Sequence, residues 1–127
     1  MTVTLPETEL DPVTKQTIED LTAARDLIAR HGLAKKTFRS YINARCSGGA
    51  IGDAIGGGPY AFIHTNRGER AAIALATTLG WTRVTEDRDV EASAARGLIY
   101  DYNDADVTTQ ADVLGLFDTT IARLRGE

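Results

Sequence analysis

The chain has 127 residues, 43% hydrophobic and 25% charged, with one Cys and a formal net charge of −4. That length predicts one globular domain able to bury a core unaided. The acidic balance argues against nonspecific nucleic-acid binding. A single Cys excludes an internal disulfide, and no apolar run reaches the ~20 residues a membrane-spanning helix needs.

Aromatics make up 6% and alanine is abundant, which favours close-packed helices over a β-sandwich. Residues 1–10 read as a polar arm. With neither a basic nor an apolar leader segment it is no signal peptide, and a cytoplasmic protein is expected. Residues 11–127 read as one helical domain.

The first helix covers 12–31. Asp11 caps it, Pro12 suits its first position, and Gly32 can end it. Ile18, Leu21, Ala24, Leu27 and Ile28 share one face. "AKKTFRSYINAR" fits a short helix or an extended connector, with Phe38, Tyr41 and Ile42 as its anchors.

"ARCSGGAIGDAIGGGPY" holds the Cys and six of the twelve glycines. Gly48, Gly52 and Gly56 recur every fourth residue, a ridge that lets another helix approach closely. Ile51 and Ile55 lie on an adjacent face. "PYAFIHT" fits a connector or a lone strand.

A helix over 67–79 follows, with Asn66 and Glu69 as a capping box. Gly80 followed by Trp81 reads as a glycine stop with a hydrophobic fold-back. After a polar loop, "VEASAARGLIYDYND" predicts a helix with Val90, Ala94, Leu98 and Tyr102 (or Ile99) inward. Asn103 and Asp104 then start a turn, bonding their own backbone. The last helix covers 110–125. Thr109 and Asp112 form its capping box, and Val113, Leu116, Phe117, Thr120, Ile121 and Leu124 its stripe. The sum is a mostly α bundle of four or five helices around the glycine-rich one, with room for one short strand or hairpin.

Charge is unevenly spread. Leu27–Gly52 carries Arg30, Lys35, Lys36, Arg39 and Arg45 and no acid, whereas Glu86–Asp106 carries seven acids against Arg88 and Arg96. Either the two stretches face each other or lie on separate solvated surfaces, or the basic one, with Phe38 and Tyr41 interleaved, is a patch that meets an anionic partner.

Cys46, Gly49 and Ala50, with Tyr102, Asn103, Asp104 and Thr109, form two blocks. Their order resembles a family of small uncharacterised actinobacterial and actinophage proteins. That family shows a helix like "AARDLIARHG", a Cys-x-x-Gly-Ala block, and an aromatic-Asn-Asp turn before a final helix opening with Thr. The resemblance runs from Ile18 to Leu124. It departs at Tyr102, where the family often has Trp, at Thr108, where it often has Arg, and in the glycines at 56–58. It implies a small, mostly helical cytoplasmic protein and lends no activity.

Three chemistries compete with plain packing. A phosphate loop lacks the Gly-Lys-Ser/Thr ending, and Asp53 opposes an anion. A thiol site would use Cys46, His64 and Asn103 in papain-like order, with the helix start and Arg45 lowering the thiol pKa. A calcium loop beginning at Asp101 has Asn103 and Asp112 in place but Ala105 and Asp106 where it needs a ligand and Gly. No cofactor or metal is implied. The expected function is therefore a non-enzymatic accessory protein that binds a protein partner, with Arg45, Tyr102, Asn103 and Asp104 as candidate contacts. The alternatives are a thiol-dependent hydrolase or transferase, and a binder of small anions at the glycine-rich helix entrance.

Overall fold

The computed structural model describes residues 10–126, so the arm expected over 1–10 lies, except for Leu10, outside the described residues. Six helices follow in chain order: α1 (Pro12–His31), α2 (Ser47–Ile55), α3 (Pro59–His64), α4 (Asn66–Thr78), α5 (Arg88–Asp104) and α6 (Gln110–Leu124). The mostly helical expectation holds. The helix beyond the expected four or five is α3, where "PYAFIH" winds a short turn behind Pro59.

No helix among the described residues is long and apolar enough to cross a membrane. In place of a strand there is a hairpin-like turn over residues 39–45, closed by an isolated antiparallel bridge between Arg39 and Arg45.

The end signals that act locally set the helices. The Asp11 carboxylate accepts the Thr14 N–H at 2.8 Å, and Pro12 follows as the first helical residue. Thr109 and Asp112 make the expected reciprocal box. At the end of α4, the Gly80 N–H reaches the Thr77 carbonyl and the Trp81 N–H the Ala76 carbonyl, with Gly80 at φ +99°. That pair of bonds is the Schellman stop, which satisfies the last free carbonyls of a helix. The cap of α4 is one residue earlier than Asn66. Thr65 accepts the Gly68 N–H at 3.0 Å, while Asn66 and Glu69 both hold Arg88.

Two helices share the centre. α4 packs against all five others, and α2 against α1, α3, α4 and α5. Ala71, Ala72 and Ala76 give α4 the small profile this requires, with Leu75 filling the interior. α2 gains closeness by omitting side chains. A Cβ on Gly48 would sit 2.8 Å from the Phe62 ring, and one on Gly49 or Gly52 would overlap the carbonyl oxygen of Phe38 or Gly58. Gly56 does not join this ridge. It is the C-cap of α2 at φ +94°, with open space around it. Gly57 and Gly58 also have positive φ, so the chain reverses from α2 into α3 through three residues that only glycine adopts without strain.

The inward face of α5 is Glu91, Ala92, Ala95, Ile99 and Asn103; of the predicted set the alternative Ile99 is buried, Leu98 and Tyr102 are half-buried, and Val90 and Ala94 are exposed. The reason is polar. Glu91 turns inward because the Val84 and Thr85 N–H groups and the Thr85 hydroxyl all donate to its Oε1, at 3.2, 2.8 and 3.0 Å.

Candidate functional site

Residues 33–46 decide what can happen at the entrance of α2. They form no helix. Ala34 N–H donates to the Arg45 carbonyl at 2.9 Å and Arg45 N–H to the Gly32 carbonyl at 3.0 Å, tying both ends of the segment to the end of α1. Asn103, 1% exposed, locks this arrangement from α5. Its Oδ1 accepts from the Ser47 N–H at 2.9 Å and the Ser47 hydroxyl at 2.8 Å. Its Nδ2 donates to the Ala34 carbonyl and to Asp104 Oδ1, each at 3.0 Å. Asp104 also accepts the Lys36 N–H at 2.8 Å. The expected Asx turn is therefore absent: Asn103 and Asp104 end a helix and bond across to distant chain. Lys35 Nζ completes the clamp, donating to the Ala105 and Thr108 carbonyls. The basic and acidic stretches thus meet here, chiefly through backbone groups.

Cys46 is the N-cap of α2 and is 5% exposed. Its Sγ accepts the Gly49 N–H at 3.3 Å. Burial pushes the thiol pKa up, and the Gly49 and Gly48 N–H groups offset this only in part. The sequence expectation of a lowered thiol is therefore reversed. Arg45 gives no help, since its guanidinium binds Asp53 Oδ2 and the Asn43 carbonyl.

The parts of the thiol reading do not assemble. His64 is exposed at the end of α3, tilted at 38° against Tyr60 with ring centroids 4.6 Å apart. The cavity at Cys46 is lined by Lys36, Thr37, Phe38, Cys46, Tyr100 and Asp104, and no histidine enters it. Asn103, spent on Ser47 and Ala34, cannot orient an imidazole. The backbone donors of a phosphate site are spent too: the Ser47 N–H goes to Asn103 and the Gly49 N–H to Cys46. Of the calcium-loop residues, Asn103 points inward, while Asp112 accepts the Thr109 N–H at 2.9 Å.

Among the candidate contacts, Arg45 and Asn103 are buried, Asp104 and Tyr102 half-buried. The Tyr102 hydroxyl reaches the Asp112 carbonyl at 3.4 Å. The most exposed apolar pair is one that the sequence marks as anchors of the connector: Tyr41 is 99% and Ile42 68% exposed. They occupy the two central positions of a tight turn, in which the Asn43 N–H donates to the Ser40 carbonyl at 3.0 Å and the Ser40 N–H to the Ala44 carbonyl at 2.8 Å. Asn43 takes φ +68°, a conformation Asn tolerates better than most residues. Below the tip, Arg39 and Arg45 both hold Asp53 Oδ2 at 2.7 Å. Partial burial pushes the Asp53 carboxyl up, but these two guanidiniums outweigh it and hold it below the usual range. Only Asn43 hinted at the projecting turn in sequence; hydropathy pointed the other way.

No curated protein and no solved structure matches the chain. A family model, described as a family of unknown function (DUF6197), matches residues 12–123, which takes in five helices and all but the last residue of α6, and the chain belongs to that family.

Proposed function

We propose that the chain is a non-catalytic accessory protein, cytoplasmic and encoded by an actinobacterium or its phage, that binds a protein partner through the Tyr41–Ile42 tip. The Cys-x-x-Gly-Ala block and the Tyr102-Asn103-Asp104 sequence at the end of α5 support the source. The tip carries the function. Two adjacent large apolar side chains stand in water on a turn pinned by hydrogen bonds and by the Arg39–Asp53–Arg45 clamp. A lone exposed apolar side chain means little. A rigid pair presented at a tip loses little entropy on docking, and tyrosine is among the residues that dominate interface energies. The partner is a protein with an apolar slot that takes both side chains.

The test compares affinity capture from a lysate of the source cell by the wild-type chain, by Tyr41→Asp/Ile42→Asp, and by Val84→Asp. Val84 is 82% exposed outside the tip. Wild type and Val84→Asp should retain the same stoichiometric partner, and the tip variant should lose it by about tenfold or more. Equal capture by all three, or capture of no partner by the wild type, overturns the reading.

A further inference from the structure

The cavity beside Cys46 encloses about 310 Å³. Phe38 and Tyr100 wall it, their rings meeting edge-on with centroids 6.0 Å apart at 81°. The buried Cys46 is its floor, and the exposed Lys36 and Thr37 form part of its rim. Tyr100 is itself braced from behind by Phe62, again edge-on at 6.0 Å, so the aromatic wall is fixed by the core.

Two opposite charges stand on that rim. Asp104 accepts the Lys36 backbone N–H at 2.8 Å, which sets the two residues side by side. Their side chains nevertheless form no ion pair, and Lys36 Nζ and Asp104 Oδ2 have no hydrogen-bond partner among the described residues. Lys36 is held at φ +62°, a conformation lysine rarely adopts. Such a residue persists only where its surroundings over-determine it, and these positions gather at binding sites. Apolar walls with a few convergent polar groups are the usual make-up of a small-molecule site.

A cation and an anion that line one rim without pairing complement a molecule carrying both charges, and the rings complement a ring. We propose that this cavity binds a small aromatic zwitterion of the amino-acid class. Its carboxylate lies on Lys36, its ammonium on Asp104, and its ring against the joined Phe38 and Tyr100 wall over the Cys46 sulfur, a contact sulfur makes favourably. The site is independent of the partner-binding tip.

The test uses the full chain with three probes, each measured by calorimetry: L-phenylalanine, phenethylamine (cation only) and 3-phenylpropionate (anion only). L-phenylalanine should bind about tenfold more tightly than either analogue, the worth of one charge-assisted hydrogen bond. Because Cys46 is the sole cysteine, its alkylation reports occupancy, and should slow about tenfold at ten times the Kd. Lys36→Asn keeps a residue that tolerates positive φ. It should weaken L-phenylalanine and 3-phenylpropionate about tenfold and leave phenethylamine unchanged. Equal binding of the three probes overturns the proposal. So does absence of Cys46 protection in the wild type, or L-phenylalanine binding that ignores Lys36→Asn.

Discussion

Val113, Leu116, Phe117 and Ile121 carry α6 into the core, whereas α2 reaches the same depth with Gly48, Gly49 and Gly52. In α6 the helix is held by what its side chains add. In α2 the buried Ala50 and Ile51 are joined by backbone lying directly on backbone, at Phe38 and Gly58. The same residue type therefore has opposite value in the two helices. Gly49 cannot grow a side chain, while the exposed Gly115, in the middle of α6, has nothing within 4 Å of where a Cβ would stand.

The largest expected effect comes from Gly49→Ala. The new methyl meets the Phe38 carbonyl rather than a side chain that can swing away. Urea unfolding should show a loss of about 3 kcal/mol, at the upper end for overpacking, against a total stability of roughly 5–15 kcal/mol for a domain. A loss below about 1 kcal/mol would mean that α2 sits looser than its contacts suggest, and would break the comparison.

A smaller effect belongs to the cap of α2. Burial raises the Cys46 pKa in the folded chain above that of a free thiol, so the fold favours the neutral form. Its contribution is complete below the unfolded pKa of about 8.5 and is lost as pH rises through the folded value. Wild type should therefore lose more stability between pH 8 and 10 than Cys46→Ala does. Parallel curves for the two would show that the thiol is not desolvated. Thr109, the corresponding cap of α6, carries no titratable group.

The smallest effect has the opposite sign. Gly115→Ala should raise stability by about 0.5–1 kcal/mol, the helix-interior penalty of glycine. A fall in the urea midpoint would mean that α6 also depends on close approach.

The features legible in sequence are those set by neighbours within five positions. Asp11 with Pro12, Thr109 with Asp112, and Gly80 with Trp81 act within one helical turn, so local spacing reveals them. The stripe of α6 is legible because its inward residues are nearly all apolar. α5 is misphased because Glu91 and Asn103 point inward, and only contacts with Thr85, Ser47 and Ala34 make that tolerable. Tyr41 and Ile42 mislead for the converse reason: hydropathy marks them as anchors, and a turn pinned by Ser40 and Asn43 throws them into water. At the candidate site, Cys46 and Asp104 were visible as residues of interest. The cavity that joins them to Lys36, Phe38 and Tyr100 depends on pairings about 70 residues apart, which no local spacing encodes.

The Asn103 clamp has a consequence for how the chain is made. Its amide joins residues 56 and 69 positions earlier in sequence, so its partners leave the ribosome long before it does. Until α5 is complete, the Ser47 N–H and the Ala34 carbonyl have only water to bond, and closing loops of that length costs entropy that local helix formation does not. The helical frame of α1 can form as it emerges; the entrance of α2, with the cavity beside it, is finished only once α5 has emerged.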